Sequence, residues 1–116
     1  MYVDGFVTPI KKDRVEDYRK MATEVGNVFK EYGALAYVEC IADDVPAGEV
    51  TSFPMSVKLE DDEVVGFAWI SYESRSHRDE TMKNAMEDER FKTPPEDPPM
   101  DMKRMFFGGF ETLVEL

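Results

Sequence analysis

The stretch YVDGFVTPI at Tyr2–Ile10 alternates apolar residues as a β-strand does, and it leads into a helical pattern at Val15–Tyr32. The same order occurs later in the chain, where an apolar run at Val64–Tyr72 precedes a helical pattern at His77–Glu89. Two such pairs within 116 residues predict a single domain over residues 1–116. We expect an α+β, ferredoxin-like βαββαβ antiparallel sheet with two helices on one face.

Turn residues and prolines set the predicted limits of the first strand and helix. Pro9 is expected to end the first strand at Thr8, because proline cannot donate to a sheet ladder. Asp13 and Glu16 have the spacing of a capping box at the start of the first helix, and Gly33 is expected to end that helix.

The remaining elements are predicted with two alternatives left open. Either Ser74 or Ser76 begins the second helix, and Glu49–Glu63 forms an excursion that contains a short helix or an edge strand. The other predicted elements are a second strand at Ala34–Ala42, a non-helical loop at Thr93–Met102 and a last strand at Arg104–Leu116, with a bulge or close backbone approach at Gly108–Gly109.

Composition argues against several classes of function. The formal net charge of −11 opposes nucleic-acid binding, which depends on clustered lysine and arginine. No apolar run reaches the ~18 residues of a membrane span and no signal-peptide pattern is present, so we expect a cytoplasmic protein without a membrane partner. No cofactor or metal is predicted, because phosphate-binding glycine loops and zinc-ligand spacings are absent.

Alternation along the strands predicts which side chains face the helices. We assign a compact set to the helix face, and this set includes Cys40 as an inert core thiol. The compact set is Val3, Gly5, Val7, Ala36, Val38, Cys40, Gly66, Ala68 and Ile70. The opposite face receives a larger, mixed set: Tyr2, Asp4, Phe6, Leu35, Tyr37, Glu39, Ile41, Phe67, Trp69 and Ser71. Since so much apolar surface does not suit water, we expect a second copy of the sheet to cover it in a homodimer.

Three residues on or near this mixed face are candidates for catalysis. Asp4 and Glu39 would lie among aromatic side chains, where burial raises the pKa of a carboxyl group and suits it to acid or base catalysis. Alternatively, each accepts hydrogen bonds or pairs with Arg104 or Lys103 at the dimer interface. His77 is a candidate proton shuttle or a polar residue at a helix start. The candidate ligand-binding residues are Tyr2, Tyr37, Phe67, Trp69 and Arg104.

Several blocks of the sequence resemble a bacterial family, the domain-of-unknown-function family 1428. The blocks are Tyr2–Val7, Gly33–Cys40, Asp43–Pro46, Val50–Pro54, Phe67–Ile70, Ser74–Asp79, Lys103–Met105 and Gly108–Glu111. The resemblance implies a dimeric α+β barrel in which two ferredoxin-like sheets face each other. That superfamily includes cofactor-free monooxygenases, haem-degrading enzymes, and chlorite-dismutase-like and muconolactone-isomerase-like proteins. The resemblance implies no role for an individual residue, and Thr93–Met102 departs from the family's pattern.

The residues and the resemblance together predict a homodimer that encloses a small apolar or aromatic molecule between sheet and helices. Cofactor-independent oxygenase or isomerase chemistry is the candidate activity. Two alternatives are open. One is a non-catalytic structural or stress-related dimer whose inner face serves only dimerisation, and the other is a binding module that acts through its acidic surface.

Overall fold

The computed structural model describes all 116 residues and contains one four-stranded antiparallel sheet. The strands are β1 (Tyr2–Lys11), β2 (Ala36–Ile41), β3 (Glu63–Tyr72) and β4 (Phe106–Glu111). The helices are α1 (Val15–Glu31), the single turn α2 (Phe53–Ser56) and α3 (Arg75–Met86). The strand order is β2-β3-β1-β4. The predicted α+β class is confirmed, and a four-stranded antiparallel sheet with three helices is compatible with a ferredoxin-like fold.

The main core lies between the sheet and the two long helices. Val28 of α1, Ala85 of α3 and Ile70 of β3 are buried in this cluster. Ile70 lies opposite Asp4 of β1 and opposite Tyr37 of β2. Because residues directly opposite in an antiparallel ladder point to the same side of the sheet, Asp4 and Tyr37 also face the helices.

The faces predicted for β1 and β2 are therefore wrong, whereas the face predicted for β3 is right. Tyr2, Asp4, Phe6, Tyr37 and Glu39 lie on the helix face together with Ala68 and Ile70, and Val3, Gly5, Val7, Ala36, Val38 and Cys40 share the opposite face with Phe67 and Trp69. The physical reason is that helix side chains provide partners for the strand carboxylates: Arg78 for Asp4, and Tyr18 for Glu39. Cys40, predicted to be a core thiol, is exposed.

A smaller core lies on the face opposite α1 and α3. Val7 of β1 and Val65 of β3 pack there against Val57, which follows α2. Phe53 of α2 meets Phe67 edge-on, with 5.8 Å between ring centroids. The excursion between β2 and β3 thus contains a short helix rather than an edge strand, and it covers one end of this sheet face.

β1 continues through Pro9 to Lys11, beyond the predicted end at Thr8. β4 pairs with β1 only as far as Val7, so no strand lies beside β1 at Pro9 on that side. The Pro9 carbonyl there accepts a hydrogen bond from the Asp101 backbone N–H at 3.2 Å. The N–H and C=O of one residue point to the same side of a strand, so an N–H at position 9 would also point away from β3. The β1–β3 ladder therefore does not need the N–H that proline lacks.

The helix ends differ in how well they follow the predicted caps. α1 begins after a 3-10 turn at Lys12–Arg14 and has no side-chain cap, so the predicted capping box of Asp13 is wrong. Gly33 follows α1 with a φ of +116°, as a helix-terminating glycine does. Ser74 is the cap of α3, since its Oγ accepts a hydrogen bond from the His77 backbone N–H at 3.1 Å.

No helix combines the length and the apolar character needed to cross a membrane.

Candidate functional site

The structure distributes the predicted site residues over separate places instead of one cavity. Phe67 and Trp69 lie on the sheet face opposite the long helices, and Tyr37 and Glu39 line a groove beside α1. Asp4 and Tyr2 are buried beside α3, His77 lies in the first turn of α3, and Arg104 precedes β4. None of Asp4, Glu39 and Arg104 lines the concavity that contains Trp69.

The first site, here called the open face, is an apolar concavity of about 550 Å³ on the sheet. The residues of this sheet face that line it are Val3, Gly5, Val7, Phe67, Trp69, Phe106, Gly108 and Phe110. Phe6 and Phe107, which belong to the helix face by register, also border it. Gly5 and Gly108 lie opposite each other on β1 and β4, so the floor between the aromatic walls has no side chains. Phe110 is 65% exposed and Phe67 is 42% exposed, although both are large and apolar. No lining residue of the open face is charged or titratable.

The second site is a groove of about 410 Å³ between α1 and β2. Tyr18 and Gly26 border it from α1, while Tyr37 and Glu39 border it from β2. A methyl group at Gly26 would lie 2.6 Å from the Tyr37 ring, so the glycine allows this ring to approach the helix closely. The groove therefore has one aromatic wall built on a helix glycine.

Two tyrosines hold the Glu39 carboxylate at the end of this groove. The Tyr18 hydroxyl donates to Oε1 and the Tyr37 hydroxyl donates to Oε2, each at 2.7 Å. Burial, reinforced by the charge of Glu39, raises the pKa of Tyr18 and of Tyr37 above the ordinary value for tyrosine. Both hydroxyls therefore keep their protons and serve as donors at neutral pH, while the carboxylate serves as the acceptor.

A third polar group lies in the main core, between β1, β3 and α3. The Asp4 side chain is 1% exposed and its Oδ1 lies 3.2 Å from Nε of Arg78. Arg78 also donates from Nη2 to the Tyr2 hydroxyl at 3.0 Å. Burial raises the pKa of Asp4 above its ordinary value, although the neighbouring Arg78 opposes this effect. Asp4 does not line the groove or the open face, and its predicted catalytic role stays a prediction.

Arg104 joins three segments near the start of β4. Its guanidinium donates to both oxygens of Glu63, at 2.8 and 2.5 Å, and its Nε donates to Asp101 at 2.8 Å. It also donates to the backbone carbonyls of Val57 and Lys58. These contacts fix the loop at Thr93–Met102, here called the Pro-rich loop, to the start of β3 and to the end of α2. The geometry favours an architectural role, while its predicted ligand-binding role stays a prediction.

His77 occupies a helix start, in line with the alternative of a polar residue at that position. Its Nδ1 accepts a hydrogen bond from the Glu73 backbone N–H at 3.0 Å, and its ring meets Tyr72 edge-on at 5.9 Å. His77 lines neither the groove nor the open face. Its predicted role as a proton shuttle stays a prediction.

The sequence did not single out several residues that belong to the groove, to the open face or to the polar group around Asp4. They are Tyr18, Arg78, Phe106, Gly108 and Phe110. The alternation Phe106-x-Gly108-x-Phe110 has the same two-residue period as Val3-x-Gly5-x-Val7, and pairing the two glycines could have identified the floor of the open face. Arg78 and Tyr18 lie on helices, and no pattern within the strands identifies them as partners of the strand carboxylates.

Comparison with known proteins gives a family match and curated relatives. Residues 1–102 match DUF1428, a family described as proteins of unknown function, and this match includes the Pro-rich loop. The relatives are the uncharacterized proteins YbaA of Escherichia coli K12, Escherichia coli O157:H7 and Shigella flexneri. Each is 48% identical to this chain over 114 residues, which is 98% of this chain and 97% of the relative. The similarity to these relatives therefore extends through β4.

Proposed function

Since the chain belongs to the DUF1428 family, we propose that it acts as a homodimeric α+β barrel in which two open faces meet and enclose a small apolar or aromatic molecule. The observation that carries this proposal is the open face itself, which is concave, aromatic and uncharged. A contiguous apolar patch of this kind on a soluble chain marks an interaction surface.

The composition of the face supports a second copy of the chain as its cover. The formal net charge of −11 would repel another copy, yet none of the lining residues of the open face carries that charge. Phe110 and Phe67 are exposed apolar anchors of the kind that stable interfaces bury. The concave parts of two such faces can therefore meet without placing carboxylates against each other.

The dimensions of the molecule fit such an interface. Its principal extents are 38 × 38 × 20 Å, so the molecule is a slab with two broad sides. A stable interface needs about 800 Å² from each partner, and a side of this breadth can provide that area. The glycine floor at Gly5 and Gly108 would leave space between two facing sheets, and this space is the proposed chamber.

Trp69 offers a direct test, because it is the only tryptophan of the chain and lines the open face. We expect naphthalene, used as the apolar probe, to change the fluorescence of Trp69 in a saturable way. Phe110→Glu places a charge within the face and should abolish both the dimer and the naphthalene effect. The matched control is Val50→Glu, which adds the same charge at a loop position that is 95% exposed and outside the face.

The outcomes separate the two parts of the proposal. A monomeric wild-type protein would contradict the barrel. A dimer whose Trp69 emission is unaffected by naphthalene would contradict the chamber, and it would favour the second candidate function, a dimer whose inner face serves only association. One observation favours that candidate: the lining of the open face contains no polar side chain that could orient a ligand.

The candidate oxygenase or isomerase chemistry is not placed at the open face in this proposal. General acid or base catalysis needs a titratable group within hydrogen-bonding distance of the substrate, and the lining has none. The groove beside α1 is the place where a carboxylate and a cavity coincide.

A further inference from the structure

We propose that the groove between α1 and β2 is a second binding site, which takes a small organic cation with an apolar body and uses Glu39 as the counter-ion. This site lies between the sheet and a helix, so it would remain accessible when the open face is covered. It does not depend on the homodimer or on the chamber.

The first observation is that Glu39 has no cationic partner. It belongs to none of the ion pairs of the protein. Two cations border the groove, but both are held by other groups: Arg19 pairs with Glu16 at 3.1 Å, and Lys30 donates to the Leu35 carbonyl at 2.8 Å. A half-buried carboxylate without a counter-ion attracts a cation more strongly than one in open water.

The second observation is that Glu39 is already positioned but not saturated. Tyr18 and Tyr37 each occupy one acceptor position of the carboxylate and fix its orientation. A carboxylate has about four acceptor positions, so about two remain for a ligand. An ammonium group supplies several donors together with a positive charge for the unpaired Glu39, whereas Glu39 would repel a carboxylate ligand.

The third observation concerns the rest of the cavity, which suits an apolar body. Ala22, Gly26 and Ile10 border the groove, and the Tyr37 ring forms one wall. The volume of about 410 Å³ lies within the range of small-molecule sites. Aromatic rings beside the carboxylate add a cation–π attraction for the same ligand class.

The test measures binding of 2-phenylethylamine by calorimetry, with the neutral isostere 2-phenylethanol as the comparison ligand. We expect the amine to bind to the wild-type protein and to bind at least about tenfold more weakly to Glu39→Gln, which keeps the shape but removes the charge. Glu49→Gln is the matched control, because Glu49 is exposed in a loop outside the groove. It should bind the amine as the wild type does.

A second variant keeps the proposal testable if Glu39→Gln does not fold. Asn27 is exposed on α1 and borders the groove, so Asn27→Phe should block the groove without changing the core. Four results would each overturn the proposal: no amine binding to the wild type, equal binding of amine and alcohol, undiminished amine binding to folded Glu39→Gln, or undiminished amine binding to Asn27→Phe. Because the measurement does not use Trp69 or the open face, its failure is distinct from a failure of the barrel.

Discussion

At the scale of single residues, two neighbouring glycines of β4 have opposite environments. A methyl group at Gly109 would collide with Arg78 Nη2 and the Tyr2 hydroxyl, whereas a methyl group at Gly108 would meet nothing closer than Phe110 at 3.8 Å. Gly109 therefore makes space for the arginine that pairs with Asp4.

We expect Gly109→Ala to lower the free energy of unfolding by about 1–3 kcal/mol, because it overpacks this site. Gly108→Ala should be near neutral. Urea unfolding of both variants, made in the Phe110→Glu background so that the proposed dimerisation does not contribute, checks the difference. Equal effects of the two substitutions would mean that Arg78 does not pack under Gly109.

The residue scale is also where prediction from the sequence was weakest. The sequence singled out Asp4 and Glu39 as carboxylates that share a face with Phe67 and Trp69, but the structure places both carboxylates on the helix face, opposite those two rings. Their partners, Arg78 and Tyr18, come from helices distant in the sequence. A strand pattern shows that a carboxylate alternates with apolar residues, but only the packing of a helix determines which face offers it a partner.

At the scale of elements, the start of α3 allows a test between two serines. Ser74 caps the helix through the His77 backbone N–H, while the Ser76 hydroxyl contacts only that of Ser74. Ser74→Ala should therefore cost about 1 kcal/mol of stability, a typical value for loss of an N-cap, and Ser76→Ala should cost much less. Thermal unfolding of the two variants gives the comparison. A larger loss of stability for Ser76→Ala than for Ser74→Ala would mean that Ser76 caps the helix instead.

The contact between Arg104 and Glu63 predicts a pH dependence of stability. Hydrogen bonds from Arg104 hold the pKa of Glu63 below its ordinary value of 4.5. The ionised carboxylate therefore stabilises the fold above pH 4.5, and this contribution is lost as the pH falls below 4.5 through the lowered pKa of the folded state.

Glu63→Gln should thus be less stable than the wild type at pH 7, by on the order of 2 kcal/mol, and the difference should shrink in acid. Urea unfolding at pH 7 and near pH 3 measures it. Asp61→Asn is the control, because Asp61 is exposed and its carboxylate has no partner. A difference that stays constant with pH would show that ionised Glu63 is not what stabilises this contact.

The elements themselves were largely predictable, while their ends and faces were not. The hydrophobic periods identified α1, α3 and the strands, because these periods depend on local geometry. The face of β1 was predicted from residue size, on the premise that small residues pack under helices. In the structure, Gly5 instead lies on the open face, where it forms part of the floor. Tyr2 lies beneath α3, where its hydroxyl accepts a hydrogen bond from Arg78.

At the scale of the whole molecule, one side of the sheet carries both long helices, and the other is covered at one end by α2 and by the contacts of Arg104 with Glu63. The remaining open face exposes Phe67 and Phe110 around a glycine floor. Exposed aromatic surface of this extent is costly for an isolated chain in water. Covering it with a second copy would remove that surface from water on both chains.

The most direct test of the homodimer is the mass of the protein in solution at micromolar concentration. Light scattering should give about twice the 13.4 kDa of one chain for the wild type and for Val50→Glu, and the mass of one chain for Phe110→Glu. A wild-type mass of one chain at every concentration would contradict the account. A dimeric Phe110→Glu would contradict it too, because the open face would then not be the surface through which two chains meet.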